Sequence, residues 1–416
     1  MLVFFFFMLV AFYQALGLFV FNLGISDLSV IGIIYALKDV FLLLIFLGAF
    51  AFDLLRDRLH HNQVFIFTAF VLGCVALMMV DVYDDATFTN IRRCLLFLLL
   101  FLSGLIFRRL RSVKAENVSR SLEVTLVIYA GIAIIEIFFG EKYFNLISII
   151  DYKALLGWDY EGFEYGHFRS SDFSVFGTQS VPRLLSIFLE PTFGSAFLAT
   201  CFIWFSALKR KLLYAYMCLF LGLLTFSKYF LVGVAIYSFF RVFPRASAFW
   251  VCLIGCSLVY ILGAVTFDIR SYGALSHARG LYTGVNIMIA NPLGLGLGGA
   301  GNMPRDVIPE IVNGEFGGES AMGNILAQLG LLGWVPYLIV MIWVRRIDKK
   351  LLRESEIKCT ARGQLFVAKM LIVCGVFGHL ASASALSFVF NFFTFFIAGL
   401  LVARSYSDDS HMKEVW

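Results

Sequence analysis

The chain has 416 residues, 60% of them hydrophobic and only 15% charged. A soluble chain carries about 25% charge, so this composition excludes an ordinary soluble domain. The balance of 33 basic against 28 acidic residues, a net +5, is too small to point to nucleic acid; its meaning lies in where the charges fall.

Apolar stretches recur from end to end, and about 18 such residues are enough to cross the ~30 Å hydrocarbon core of a bilayer. Backbone groups in lipid must pair within the segment, so the spans are predicted as helices. They are continuous apolar runs and not alternating ones, which argues against a barrel. The first, 2–23, follows the initiator Met without a basic flank or a small-residue cleavage site, and is expected to be a retained helix rather than a signal peptide. Further spans are expected at 30–52, 64–80, 94–107, 124–140, 184–207, 212–226, 229–242, 246–266, 319–344, 364–382 and 385–403.

The connections alternate in charge. Arg56 and Arg58, then Arg108, Arg109, Arg111, Lys114 and Arg120, then Lys209, Arg210 and Lys211, then Arg241 and Arg245, then Arg345, Arg346, Lys349, Lys350 and Arg353 fall on every second connection. The others are poor in Lys and Arg or acidic, as in DVYDDATF (81–88), with Arg92 and Arg93 the exception. About twelve spans with both termini in the cytoplasm satisfy this alternation. The expected architecture is thus an all-α polytopic membrane protein, residues 1–416 forming a single integral membrane domain. Two long outer loops, roughly 141–183 and 267–318, fall on the far side. Loops of that length in a compact domain are usually functional. Nearly all eight cysteines fall inside spans and none in the two long loops. They read as small packing residues, with no disulfide framework and no zinc-ligand spacing.

Several charges sit in or beside the spans, where a central charge costs about 2.5–3.5 kcal/mol on insertion scales and commonly marks a site. In RLLSIFLEPTFG (183–194), Glu190 lies seven and Gly194 eleven positions after Arg183. At about 100° per residue, a continuous helix would carry all three on one face, with Pro191 loosening the turn. The plainer alternative is an interfacial Arg183 and a Glu190 packed in the bundle. Lys228 stands in a tight turn, LLTFSKYFLVGV (223–234), as a site cation or a snorkelling lysine.

The second outer loop carries Arg270, His277 and Arg279 and continues into GLGLGG (294–299). That run matches G-x-G-x-x-G, but no βαβ unit surrounds it, so a dinucleotide site is rejected. Gly294 and Gly296 are read as letting the backbone turn tightly beside a ligand, against plain flexibility. Glu319, beside Ser320, either caps the next helix or faces the outer cavity. Lys38 and Asp39 are expected to neutralise each other or a neighbouring helix, and Glu136, Lys369 and His379 to be satisfied within the bundle.

The outer face thus gathers Arg183, Lys228, Arg270 and Arg279 near the carboxylates Glu190 and Glu319. Arginine offers paired donors to phosphate, which suits a lipid-diphosphate head group. A carboxylate is positioned as general base for a sugar hydroxyl, and the cations stabilise a departing diphosphate. No set of residues has metal-ligand spacing, so neither a metal nor another cofactor is implied.

On these residues the chain resembles the Wzy-type O-antigen polymerases, within the larger group that includes O-antigen ligases. Arg183 and Gly194 reproduce an Arg-x10-Gly pattern, and RLLSIFLEPTFG resembles the R…F.EP…G segment. LLTFSKYFL resembles the T.SR turn, with Lys228 where Arg is usual. ARG…NPLGLGLG and ESAMGNILAQLGLLG resemble the two later segments. The resemblance implies a GT-C-like glycosyltransferase of the bacterial inner membrane, joining undecaprenyl-diphosphate-linked repeat units at the periplasmic face. Both glycan donor and acceptor would be lipid-linked, and a chain-length regulator is an expected partner. It implies functional roles for Arg183 and Arg279; the reading of the residues themselves puts Glu190 forward as base and Lys228, Arg270, His277, Gly294, Gly296 and Glu319 in substrate binding. Ligases usually carry a His where Glu319-Ser320 stands here, which favours polymerase over a ligase that passes glycan to lipid A-core. A flippase for the lipid-linked repeat is disfavoured, since it predicts internal repeats and a cationic path through both membrane halves.

Overall fold

The computed structural model describes residues 2–35, 37–38, 40, 87–107, 115–155, 169–170, 181–208, 211–266, 274–296, 320–353 and 359–407. The expected span 64–80 and most of 30–52 lie outside the described residues, as do Arg270 and Glu319. In chain order the helices are α1 (Leu2–Asn22), α2 (28–35), α3 (Thr87–Phe107), α4 (Ala115–Phe139), α5 (Glu141–Leu146), α6 (Ile149–Leu155), α7 (Pro191–Ala207) and α8 (Leu212–Leu224). They continue with α9 (Lys228–Val242), α10 (Ala248–Val265), α11 (Ala274–Ala290), α12 (Ala321–Leu329), α13 (Trp334–Arg353), α14 (Cys359–Ala381), α15 (Phe388–Asn391) and α16 (Ile397–Ser407). The described strand structure is one two-residue antiparallel ladder, Arg169–Ser170 with Val181–Pro182.

Among the described residues, four helical stretches are long and apolar enough to cross a membrane: Glu116–Phe139, Ala248–Val265, Ala321–Leu352 and Ala361–Ala381. Five shorter apolar helices accompany them. The outward faces fit a lipid solvent: α4 exposes Val127, Ile134, Ile137 and Phe138, and α10 exposes Trp250, Leu253, Ile254, Leu258 and Ile261. Such contiguous apolar faces are untenable in water and ordinary in hydrocarbon. The chain is a helical membrane protein.

Two compact units divide the chain, residues 1–48 with 109–235 and residues 49–108 with 236–416. In the first, α1 packs on α4. One of its cores is Leu18, Ile31, Phe144, Ile149 and Tyr152 closed by Leu185 and Leu189. Lys38 is buried there with its ammonium on the Tyr35 carbonyl and 4.7 Å from the centre of the Tyr13 ring. In the second unit α14 is the central helix, packed by α10, α13 and α16. Asp348 seats the start of α10 by accepting from Ser247 Oγ and the Ala248 amide, both at 2.8 Å, and pairs with Lys369 Nζ at 2.9 Å. His379 is enclosed by Phe97, Tyr337, Phe390 and Phe395. Asn391 gives both amide hydrogens to the Ala385 and Ser387 carbonyls, which turns its Oδ1 towards His379 Nε2 at 2.9 Å. His379 Nε2 is therefore the donor, and Nδ1 accepts from Tyr337 Oη at 2.7 Å. Glu136, Lys369 and His379 are thus satisfied inside the protein, as expected.

Three sequence expectations are corrected. The predicted helix 184–207 begins only at Pro191. Proline has no amide hydrogen and fits the first helical position, where none is needed. Upstream, Ser186 (φ 49°) and Leu189 (φ 52°) have left-handed backbones that break any continuous helix. The predicted outer loop 267–318 contains the 17-residue helix α11, which packs between α10 and α12. The predicted loop 141–183 contains α5 and α6.

Candidate functional site

Arg183, Glu190 and Lys228 belong to the first unit. Arg183, Glu190 and Gly194 do not form one helical stripe, because Arg183 and Glu190 precede α7 and are separated by a 3-10 turn, Ser186–Phe188. Residues Leu184 through Glu190 are all buried. Non-helical backbone at membrane depth is tolerated only when protein encloses it and its polar groups are paired. That pairing comes from α4. Glu136 accepts the Leu185 amide at 2.8 Å through Oε1 and the Ser186 amide at 2.7 Å through Oε2. Leu185 is right-handed (φ −102°, ψ −47°) and Ser186 left-handed, the alternation that aims successive N–H groups at one anion. Ser186 Oγ also donates to the Tyr129 carbonyl at 2.7 Å, a second tie to α4.

Arg183, at the mouth of this turn, is partly exposed. Its Nε donates to the Thr225 carbonyl at 3.2 Å, and the neighbouring Leu184 amide donates to the Leu224 carbonyl at 3.1 Å. Thr225 ends α8, its hydroxyl folded onto the Gly222 carbonyl at 2.7 Å. Three residues on, the exposed Lys228 opens α9. Two cationic segments some 45 residues apart in sequence therefore meet at one corner of the unit.

Glu190 is 3% exposed and stands at the N-cap of α7. Its Oε2 lies 4.0 Å from Lys153 Nζ, itself 3% exposed. Burial pushes the Lys153 amine below the ordinary lysine range, and the Glu190 carboxylate opposes that shift. Lys153 is a residue that sequence reasoning passed over. Its signal was there: a lone lysine among apolar neighbours in ISIIDYKALL (147–156), inside a segment read as loop.

In the second unit, His277 and Arg279 lie in the first turns of α11, both partly buried. Gly294 (φ 80°) and Gly296 (φ 85°) adopt the left-handed conformation the tight-turn reading requires. What they approach is protein backbone. The Leu295 amide donates to Ala327 at 2.8 Å, Gly296 to Gln328 at 3.1 Å, and Leu331 to Pro292 at 2.8 Å. The first two satisfy carbonyls at the end of α12, and the third satisfies the Pro292 carbonyl of the turn itself. A Cβ on Gly294 would strike the Gln328 carbonyl oxygen. Ser320 supplies a side-chain cap of α12, accepting the Gly323 amide at 3.1 Å.

Gly294→Ala is therefore expected to destabilise the second unit by about 2–3 kcal/mol, from the left-handed backbone and the overpacked contact together. The measurement is the thermal midpoint of the full chain in detergent. A variant with wild-type stability and reduced activity would instead give Gly294 a direct part in ligand binding.

No protein-family model, curated protein or solved structure matches this chain.

Proposed function

We propose that the chain is a polytopic inner-membrane glycosyltransferase of the O-antigen polymerase type. It has about twelve spans in a GT-C-like arrangement, both termini in the cytoplasm and its site on the periplasmic side. It takes a glycan from one undecaprenyl diphosphate and joins it to a second lipid-linked repeat. The acceptor hydroxyl gives its proton to Glu190, its oxygen bonds to the donor's anomeric carbon, and the bond from that carbon to the diphosphate breaks with its electron pair leaving on the diphosphate. Arg183 and Lys228 neutralise the diphosphate; by the resemblance Arg279 has a functional role of its own, and Arg270, His277, Gly294, Gly296 and Glu319 are assigned to substrate binding. A chain-length regulator is the expected protein partner.

The observation that carries this reading is the corner where Arg183 Nε holds the Thr225 carbonyl beside Lys228. Two elements of the resemblance that bring a cation, RLLSIFLEPTFG and LLTFSKYFL, meet there on a turn enclosed by protein. A partly exposed guanidinium anchored through Nε keeps its planar fork oriented, which favours a bidentate phosphate contact. Glu190 is buried in the structure, so its role requires the acceptor to open the packing around it as it binds.

The test uses purified protein in liposomes with lipid-linked repeat units as the sole substrate, products resolved by gel. A ladder of lengths is the expected result. No ladder, but transfer once lipid A-core is added, would make the protein a ligase and move attention to His277. Movement of the intact repeat across the bilayer without any new glycosidic bond would make it a transporter.

A further inference from the structure

The short helix α6 lies outside the membrane-spanning stretches, yet it is anchored to the site segment from two sides. Tyr152 is buried against Leu185 and Leu189, the residues flanking the 3-10 turn. Its hydroxyl meets that of Tyr35 at 3.1 Å, and its ring packs on Phe21. The next residue, Lys153, is thereby delivered to Glu190 at 4.0 Å in a nearly dry environment. A separation of 4.0 Å exceeds a hydrogen bond, so the lysine acts on the carboxylate as a charge rather than as a fixed donor.

Among the described residues, the other ionisable side chains on the elements packed around this turn are Tyr13 of α1, Tyr35 of α2, Glu116, Arg120, Glu123, Tyr129 and Glu136 of α4, Glu141, Lys142 and Tyr143 of α5, Asp151 and Tyr152 of α6 and Cys201 of α7, with Arg183 at its mouth and Lys228 at the start of α9. Glu136 is engaged by the Leu185 and Ser186 amides, and Asp151 is exposed. A buried carboxylate without a neighbouring cation is costly to keep charged. A protonated carboxylate cannot accept a proton from a sugar hydroxyl.

We propose that Lys153 is a positioning residue that keeps the Glu190 carboxylate ionised for its work as base, held in place by the docking of α6 on the 185–189 segment. The proposal rests on the polymerase reading and deepens it, because the base depends on a cation outside the resemblance motifs.

The experiment is the pH dependence of ladder formation in liposomes by the full chain, for wild type, Lys153→Met, Lys153→Arg and Glu190→Gln. Lys153→Met is expected to move the acidic limb of the rate profile to higher pH by about one unit, a rate about tenfold lower on that limb. Lys153→Arg keeps the wild-type profile, and Glu190→Gln loses activity at every pH. A Lys153→Met enzyme slowed equally at all pH values, or unaffected, would overturn the positioning role while leaving the polymerase reading standing. A Glu190→Gln enzyme of near-normal rate would also overturn it, by removing the base it serves. Absence of a ladder from wild type would instead sink the reading beneath it. Where Lys153→Met inserts poorly, Lys153→Met/Glu190→Gln, which removes both charges, is expected to restore insertion. Poor insertion persisting in the double variant would mean that the lysine serves the fold and not the carboxylate, and the proposal would fall.

Discussion

On the proposed polymerase reading, Arg183→Ala is expected to lower the rate of polymerisation by roughly 10²–10³, while the protein still inserts and purifies. In that reading the rate falls because a guanidinium proposed to meet the leaving diphosphate would contribute most where charge develops, in the transition state. Folding is spared because the bond this side chain makes to the frame of the unit, Nε to the Thr225 carbonyl at 3.2 Å, is a long one. The turn has stronger supports in the two amides on Glu136 and in the buried run Leu184–Leu189. Arg183→Lys separates charge from geometry: an ammonium keeps the charge but lacks the planar fork, so an intermediate rate is expected. Ladder length and initial rate are read from reconstituted protein, with insertion checked in the same vesicles. Normal long-chain product from Arg183→Ala would remove Arg183 from the site. Arg279→Ala gives the companion measurement in the second unit, where α11 carries the other arginine implied by the resemblance.

The membrane class of this chain was legible because it depends on composition and run length, which need no tertiary information. Helix ends were legible where a residue forces them. Ser320, in the Glu319–Ser320 pair read as opening a span, is a cap; Pro191, read as loosening a turn inside a helix 184–207, instead begins the helix. Helix α11 was missed for a physical reason. Its segment ALSHARGLYTGVNIMIA carries a histidine, an arginine and two glycines, so it fails as a continuous apolar run. Yet Gly284 approaches the backbone of Gly323 so closely that no side chain fits. Small residues at helix crossings lower the hydropathy signal while they tighten the packing. The 100° periodicity that put Arg183, Glu190 and Gly194 on one face assumed a helix that Ser186 and Leu189 interrupt. Left-handed non-glycine residues are not announced by sequence, since each costs about 1–2 kcal/mol and persists only through long-range support. The support here, Glu136, lies some 50 residues upstream.

That support makes Glu136→Gln the substitution with the largest expected effect on the fold. The carboxylate of Glu136 is an acceptor on both oxygens, one for each of two successive amides. Glutamine has nearly the same shape but only one acceptor; its amino group would face an N–H, donor against donor. One buried amide then loses its partner and the other loses a charged one. Hydrogen bonds to charged groups contribute about 1.5–3 kcal/mol each and neutral ones about 1 kcal/mol, so one bond lost and one reduced to neutral cost about 2–5 kcal/mol together. The left-handed Ser186 would no longer be held, and the turn that presents Arg183 would relax towards ordinary backbone. Glu136→Gln is therefore expected to lower the thermal midpoint of the detergent-solubilised full chain and, in whatever fraction folds, to cost activity through Arg183. Ser186→Ala, which removes a single neutral bond to the Tyr129 carbonyl, is the graded control and should cost about 1 kcal/mol. If Glu136→Gln melts with wild type and Ser186→Ala does not, the hydroxyl and not the carboxylate holds the turn. Were Glu136→Gln stable but as inactive as Arg183→Ala, Glu136 would act in the reaction itself and not through the backbone it grips.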